Sequence, residues 1–176
     1  QPNEIAEMHG VDLVLGTNEK FRLFDYVNGF EKKELSCVFT SPVDEVTNFD
    51  YAYSSDVESR TRAFLKIQDG CDYNCSFCTI PMARGRSRSL DINNVIENAK
   101  KLIDTGYKEI VLTGINLGDF GIYNSLTGER NSSFFELIEA LEDVENLERI
   151  RISSIEPNLL ENRDIEHVSE SSKFVP

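Results

Sequence analysis

The chain has 176 residues, 40% of them apolar, and a net charge of −13. This length and composition fit one globular domain or parts of two, and no apolar run reaches the roughly 20 residues that a membrane-spanning helix needs. The acidic balance argues against broad electrostatic binding to nucleic acid, since such binding depends on phosphates neutralised by Lys and Arg.

The distribution of the cysteines indicates the redox compartment in which the protein works. Cys37 lies far from the other three cysteines, and no charged and then apolar signal segment opens the chain, so we expect a reducing cytoplasm.

The chain begins at Gln1 and ends at Pro176, just after an apolar stretch has begun. We therefore expect it to be a piece of a longer protein.

The first 50 residues are predicted to form a short α/β piece. A helix over 2–9 and a buried strand over 11–15 come first. A second helix, capped by Thr17 or Asn18 and ended by Gly29, would place three apolar residues on one side: Phe21, Phe24 and Val27.

An irregular stretch rich in Ser, Asp, Thr and Tyr follows, from about Glu34 to Arg62. Such composition is typical of a connector between domains. We predict the end of one domain over 1–50, a linker over 51–61 and the start of a second domain over 62–176.

The second domain alternates strands and helices. Strands are predicted over 63–68, 110–112 and 149–155. The helices between them start at Asp91 and at a capping box formed by Ser133 and Glu136, and their apolar residues follow helical spacing. This alternation of strands and helices is typical of βαβ units and predicts an α/β fold with a parallel sheet.

Polar or cysteine-rich segments follow all three predicted strands. The cysteine loop (residues 70–78) follows the first strand, 113–116 follow the second, and 153–156 follow the third. Because the carboxyl ends of parallel strands lie at one edge of a sheet, we expect the three segments to meet there.

Three cysteines, Cys71, Cys75 and Cys78, fall within eight residues of the cysteine loop. Four thiolates close a metal site, whereas three leave one position open, as in a 4Fe–4S cluster with one open iron. A zinc site would need Cys37, His9 or His167 as the fourth ligand, and it usually has a second Cys or His pair. A simple ferredoxin would need a fourth cysteine and a different spacing.

The spacing of these cysteines, with Phe77 before the last one, resembles the signature of the radical S-adenosylmethionine (radical SAM) superfamily. The resemblance implies that S-adenosylmethionine binds the open iron and that its reductive cleavage gives a 5′-deoxyadenosyl radical. It also implies that Phe77 lies near the adenine and that Gly114 and Asn116 lie beside the cofactor. No further catalytic residue is predicted.

Segments outside the cysteine loop are similar to the methylthiotransferases: 10–20, 62–71, 78–81 with Arg84 and Gly85, and 113–116. Residues 151–157 look most like the branch that installs a 2-methylthio group on N6-threonylcarbamoyladenosine at position 37 of tRNA. The isopentenyladenosine and ribosomal-protein aspartate branches stay open. The implied fold is the end of an N-terminal α/β methylthiotransferase domain followed by the first part of a radical-SAM partial (β/α) barrel.

The resemblance also implies cofactors and partners. A second, auxiliary 4Fe–4S cluster is expected with ligands outside this chain, together with tRNA as substrate, an electron donor such as flavodoxin or ferredoxin, and no membrane. The competing hypothesis from another class is a zinc-stapled binding module, in which the cysteines hold a loop that recruits a partner.

Basic residues concentrate around the cysteine loop. Between Arg60 and Arg88 the net charge is +4, which leaves −17 on the rest of the chain. Within this window Arg84, Arg86 and Arg88 could meet tRNA phosphates or the carboxylate of S-adenosylmethionine, or could belong to a solvated loop.

Overall fold

A four-stranded mixed sheet organises the chain in the computed structural model, which describes residues 1–27, 35–47, 49–50, 52–54 and 61–175. Within these residues the strands are β1 (Leu13–Leu15), β2 (Cys37–Phe39), β3 (Ala52–Ser54), β4 (Ala63–Lys66), β5 (Gln68–Asp69), β6 (Arg88–Ser89), β7 (Glu109–Thr113), β8 (Ile122–Asn124), β9 (Glu129–Arg130) and β10 (Arg149–Ile152). The α-helices are α1 (Pro2–Ala6), α2 (Leu23–Tyr26), α3 (Ile80–Arg84), α4 (Ile92–Asp104), α5 (Phe134–Glu142) and α6 (Asn162–Glu170). Single 3₁₀ turns cover Lys20–Arg22, Val43–Glu45, Leu117–Asp119 and Pro157–Leu159.

The main sheet has the order β10-β7-β4-β3. Strands β4, β7 and β10 are parallel, with Ala63 opposite Ile110 and Ile110 opposite Ile150. The predicted parallel sheet is therefore confirmed. Strand β3 lies within the stretch predicted to be irregular, yet it pairs antiparallel with β4, with Tyr53 opposite Leu65. Its three residues carry too little alternation to be recognised, and pairing with the exposed edge of β4 makes the strand.

The hydrophobic core lies between one face of this sheet and helices α4 and α5. The strands contribute the fully buried residues Ala63, Leu65, Ile110, Leu112 and Ile150, and Ile67 adds to them from between β4 and β5. The helices contribute Val95, Ala99, Leu102, Leu137, Ile138 and Leu141. Each buried Leu or Ile contributes about 1.5–3 kcal/mol relative to an exposed one. This packing fixes the positions of the strands from which the loops at the carboxyl edge of the sheet extend.

Both predicted helix starts in this part are confirmed. Asp91 Oδ1 accepts a hydrogen bond from the backbone N–H of Asn94 at 3.0 Å. Ser133 Oγ accepts from the Glu136 backbone N–H at 3.2 Å, while Glu136 Oε2 accepts from the Ser133 backbone N–H at 2.7 Å. These side chains satisfy amides that would otherwise have no partner in the first helical turn.

The N-terminal part contains less regular structure than predicted. Helix α1 stops at Ala6, and a parallel pair of short strands places Leu13 opposite Cys37. Thr17 does not cap a helix, because its Oγ1 donates to the carbonyl of Ala83 in α3 at 2.9 Å. The expected second helix is a 3₁₀ turn followed by the four-residue α2. The predicted helix end at Gly29 lies outside the described residues.

The mixed α/β class is confirmed, whereas the division into two domains joined at 51–61 stays a prediction. No helix among the described residues has both the length and the apolar character needed to cross a membrane.

Candidate metal centre

The cysteine loop is closed at its base by a short antiparallel hairpin. Strands β5 and β6 place Asp69 opposite Arg88, and the Cys71 backbone N–H donates to the carbonyl of Gly85 at 3.1 Å. Gly70 has φ of +72°, and a Cβ there would lie 1.9 Å from the carbonyl oxygen of Arg86. Only glycine allows this close approach of the two chain segments.

The three cysteines of the loop differ in exposure. Cys71 and Cys78 are half-buried and Cys75 is exposed, and all three are free thiols. The Cys78 backbone N–H donates to the carbonyl of Cys75 at 3.0 Å, which forms a turn between the second and third cysteines. The three thiols therefore lie on one loop that follows β4 and β5, and their role as metal ligands stays a prediction.

The environment of Cys71 disfavours its free thiolate. Burial raises the pKa of the Cys71 thiol, the Tyr73 backbone N–H opposes this by hydrogen bonding to the sulfur, and the nearby Asp119 carboxylate raises the pKa further. A thiol with a raised pKa is a weak nucleophile, while a bound metal would stabilise its deprotonated form.

The cysteine loop offers three thiol donors and an adjoining cavity. Across the part of the chain that the structure describes, no three His, Cys, Asp or Glu side chains surround a common point as a single metal would require. In a 4Fe–4S cluster each thiolate binds a different iron, so the sulfurs lie farther apart. A cavity of about 620 Å³ adjoins Cys71, between Val43 and Asp44 on one side and Pro81, Met82 and Arg86 on the other.

The alternative zinc ligands lie in other elements. Cys37 is in β2 of the N-terminal strand pair. His167 is in α6, with its ring against those of Phe135 and Phe174. His9 lies between α1 and β1, in the turn before Gly10. None of these residues is on the carboxyl edge of the main sheet with the cysteine loop.

The three residues predicted to contact a cofactor occupy different environments. The Phe77 side chain is 89% exposed. Gly114 follows β7, and Asn116 is buried, where its Oδ1 accepts from the Glu156 backbone N–H at 3.2 Å. Leu117 N–H also donates to the Ser154 carbonyl at 2.8 Å, so the segments after β7 and β10 meet as predicted. The assignment of these three residues to a cofactor stays a prediction.

Asp69, which we did not single out from the sequence, is the centre of a buried charge cluster. Its carboxylate is 2.7 Å from Lys66 Nζ, 3.1 Å from Arg84 Nη1 and 3.4 Å from Arg88 Nη2. Burial acts to raise the pKa of Asp69, but the Lys66 hydrogen bond and the charges of Lys66 and Arg88 hold it below its ordinary value. The cluster ties the segments before and after the cysteine loop together.

This cluster changes the interpretation of the basic stretch. Arg88 is buried and Arg84 is partly buried, and both form ion pairs with Asp69. Arg86 alone of these three arginines is exposed, and its Nη1 donates to the Leu126 carbonyl at 3.4 Å. The alternative that all three arginines belong to a solvated loop is therefore wrong, because the buried Asp69 carboxylate pairs with Arg84 and Arg88.

Gln68 was also missed. Its side chain is fully buried and lies between the cysteine loop and residues 113–116. A polar Gln-Asp pair at the end of the apolar run 63–67, directly before a glycine and a cysteine, is the sequence signal that could have found both residues.

A further buried carboxylate, Asp119, faces the same edge. Arg130 Nη2 lies 3.0 Å from Asp119 Oδ1, and Asn116 Nδ2 lies 3.4 Å from Oδ2. Burial raises the pKa of Asp119, and the hydrogen bond from Arg130 opposes that effect. The ion pair links the 3₁₀ turn after β7 to the β8–β9 hairpin.

Comparison with known proteins agrees with this geometry. The family model of the radical SAM superfamily matches residues 65–159. The threonylcarbamoyladenosine tRNA methylthiotransferase MtaB of Bacillus subtilis is 38% identical over 175 residues, which cover 99% of this chain and 38% of that protein. The protein of the same name from Aquifex aeolicus is 32% identical over 99% of this chain and 41% of its own length.

A relative from another branch is also similar. The tRNA-2-methylthio-N(6)-dimethylallyladenosine synthase of Clostridium botulinum is 33% identical, over 93% of this chain and 35% of that protein. The chain thus spans about two fifths of the length of the curated relatives it matches.

Proposed function

The chain belongs to the radical SAM superfamily, and we propose that it is part of a methylthiotransferase that installs a 2-methylthio group on N6-threonylcarbamoyladenosine at position 37 of tRNA. The observation that carries the proposal is the set of three free thiols on one loop, Cys71, Cys75 and Cys78, at the carboxyl edge of a parallel sheet. Membership of the superfamily implies S-adenosylmethionine and a 4Fe–4S cluster as cofactors.

Each cysteine thiolate would hold one iron of the cluster. When bound, the cluster and S-adenosylmethionine supply a radical able to abstract hydrogen from an unactivated C–H bond. The chain's own residues position these groups: the β5–β6 hairpin fixes both ends of the cysteine loop, and the cavity beside Cys71 provides space next to it. Phe77, Gly114 and Asn116 are proposed to line the cofactor on the other side.

The choice of branch is supported by the names of the relatives. Two of the similar proteins described above are named for threonylcarbamoyladenosine in tRNA, and a third is named for dimethylallyladenosine. The isopentenyladenosine branch is therefore the second candidate, ahead of the ribosomal-protein branch.

The proposed partners follow from this activity. We infer that tRNA is the substrate, that a flavodoxin or ferredoxin supplies the electron, and that the reaction takes place in the cytoplasm. Because the chain is strongly acidic overall, contact with tRNA phosphates would be local and limited to basic side chains such as Arg86.

Anaerobic reconstitution of the full-length protein with iron and sulfide tests the cofactor part of the proposal. We expect labile sulfide, a reducible cluster and an electron paramagnetic resonance (EPR) signal that changes when S-adenosylmethionine is added, with the Cys75→Ser variant as the negative control. Stoichiometric zinc without any response to S-adenosylmethionine would favour the zinc-stapled binding module instead.

The substrate is tested separately. Full-length protein is incubated with tRNA carrying N6-threonylcarbamoyladenosine, with tRNA carrying isopentenyladenosine, or with the ribosomal protein, and the products are analysed by mass spectrometry. A methylthio group only on the first substrate supports the proposed branch. Modification of only one of the others would replace it with that branch.

A further inference from the structure

We infer that Gln68 is a positioning residue that sets the distance between the cysteine loop and residues 113–116, and so between the iron–sulfur cluster and bound S-adenosylmethionine. This inference rests on the proposed function for the identity of the two ligands. The geometry on which it depends belongs to the protein chain alone.

The oxygen of the Gln68 side chain holds one of the two segments. Gln68 Oε1 accepts hydrogen bonds from the backbone N–H groups of Ile115 at 2.8 Å and Asn116 at 3.0 Å. These two amides directly follow Gly114, in the segment proposed to contact the cofactor. Because both partners are donors, they fix which end of the amide carries the oxygen.

The nitrogen of the same side chain holds the other segment. Gln68 Nε2 donates to the carbonyl of Gly70 at 2.8 Å, to Ser87 Oγ at 2.9 Å and to the carbonyl of Asp69 at 3.1 Å. Gly70 directly precedes Cys71, and Ser87 lies on the returning segment of the hairpin. A single planar amide therefore spans the gap between the two segments.

Gly114 shows independently how closely the two segments approach each other. A Cβ at Gly114 would lie 3.0 Å from Gln68 Oε1 and 2.7 Å from Leu117 Cδ2. The absence of a side chain is what lets residues 113–116 close onto Gln68. Gly114 and Gln68 thus together set the distance between residues 113–116 and the cysteine loop.

Few residue types could replace Gln68 at this position. Its side chain is 0% exposed, so each partner that loses its hydrogen bond would be left buried and unsatisfied. Methionine has a similar length and shape but has neither the donor nor the acceptor. Glutamate keeps an acceptor for Ile115 and Asn116 but, when ionised, cannot donate to Gly70 or Ser87.

The first arm of the test is hydrogen exchange in the metal-free chain. In Gln68→Met we expect the Ile115 and Asn116 amides to exchange at least about tenfold faster, as loss of roughly 1.4 kcal/mol of protection predicts. Gln68→Glu should restore their protection. The Leu102→Ala variant is the control, because it weakens the core at a residue of α4, outside both segments. Unchanged exchange in Gln68→Met would overturn the inference.

The second arm uses the full-length protein reconstituted with iron and sulfide. Gln68→Met and Gln68→Glu should retain iron and sulfide yet bind S-adenosylmethionine at least about tenfold more weakly, with a reduced EPR change on its addition. Leu102→Ala should keep the wild-type response. An equal loss in Leu102→Ala, or a full response in Gln68→Met, would contradict a positioning role. A wild-type protein that itself fails to respond would overturn the proposed function, while the hydrogen-exchange arm would still test the Gln68 contacts.

Discussion

Lys66 Nζ lies 2.7 Å from Asp69 Oδ2, and this ion pair connects the end of strand β4 to the residue two positions before Cys71. The carboxylate of Asp69 is almost fully buried, and it also forms ion pairs with Arg84 and Arg88. One buried carboxylate thus contacts three cationic side chains at the base of the cysteine loop.

Replacing Asp69 with Asn should destabilise the metal-free chain by about 3 kcal/mol, because the buried Arg88 and the largely buried Lys66 would lose the carboxylate that they share. Urea denaturation followed by circular dichroism measures the change. Glu97→Gln is the matched control, since its ion pair with Lys101 is also 2.7 Å long but both side chains are 61% exposed. That variant should lose at most about 0.5 kcal/mol. Equal losses in the two variants would mean that burial adds nothing to the Asp69 cluster.

Gly70 and Gly128 have nearly the same φ, so their alanine variants can separate the cost of a positive φ from the cost of a steric clash. Gly70 has φ of +72° and Gly128 has φ of +71°, but a Cβ would meet backbone atoms only at Gly70. Gly128→Ala should cost about 1–2 kcal/mol, which is the ordinary cost of a left-handed conformation. Gly70→Ala should cost clearly more in urea denaturation and should lower iron uptake on reconstitution. Similar losses for both would show that the cysteine loop can move away from Arg86.

The cysteines should divide into two classes in iron binding. Serine at position 71, 75 or 78 should remove most of the iron and labile sulfide after anaerobic reconstitution, because these three thiolates are the proposed ligands of the cluster. Cys37→Ser, in strand β2, should retain both. A loss of iron in Cys37→Ser as large as in the other three variants would identify Cys37 as a fourth ligand.

Lowering the pH should remove the stabilisation that the Asp91 cap gives to helix α4. Burial acts to raise the pKa of Asp91, but hydrogen bonds from Asn94 outweigh it and place the pKa below the ordinary value. The ionised carboxylate therefore stabilises the fold above the unfolded-state pKa, and this stabilisation is lost as the pH falls through the folded-state pKa.

At neutral pH, Asp91→Ala should cost about 1 kcal/mol, and the difference from wild type should shrink in acid. Asp91→Asn keeps a capping oxygen that does not titrate, so its stability relative to Asp91→Ala should stay constant over the same pH range. Denaturation series at several pH values measure both differences. If the difference in unfolding free energy between wild type and Asp91→Ala stayed constant in acid, the ionised carboxylate would be ruled out as the source of the capping stabilisation.

Arg86 and Arg88 should have separable effects on tRNA binding. Arg86→Ala should lower the slope of log affinity against log salt by about 1, with little change in stability, if the exposed side chain meets a phosphate. Arg88→Ala should instead destabilise the fold, because Arg88 is buried against Asp69. Filter binding at several salt concentrations and urea denaturation distinguish the two results. An unchanged salt slope in Arg86→Ala would remove this contact.

Sequence analysis could locate the elements that carry their own local signals. Asp91 and the Ser133–Glu136 capping box marked the starts of helices α4 and α5, because a capping side chain acts on amides only a few residues away. The spacing of the three cysteines likewise predicted the candidate metal centre without any knowledge of the fold.

Features that depend on distant contacts were harder to predict. Strand β3 exists because β4 offers it an edge, and Thr17 is drawn away from helix capping by the carbonyl of Ala83. Gln68 and Asp69 look like ordinary polar residues at the end of a strand. Their importance arises from partners 15 to 48 positions away in the chain.

The hairpin of β5 and β6 closes the segment that carries the cysteines. Its pairing of Gln68 with Ser89 and of Asp69 with Arg88 joins the ends of an 18-residue ring, residues 70–87, through contacts made by the protein alone. The entropic cost of closing that ring therefore belongs to the folding of the chain. A zinc finger folds only around its ion, whereas the cluster proposed for this loop would bind to a ring that the protein itself closes.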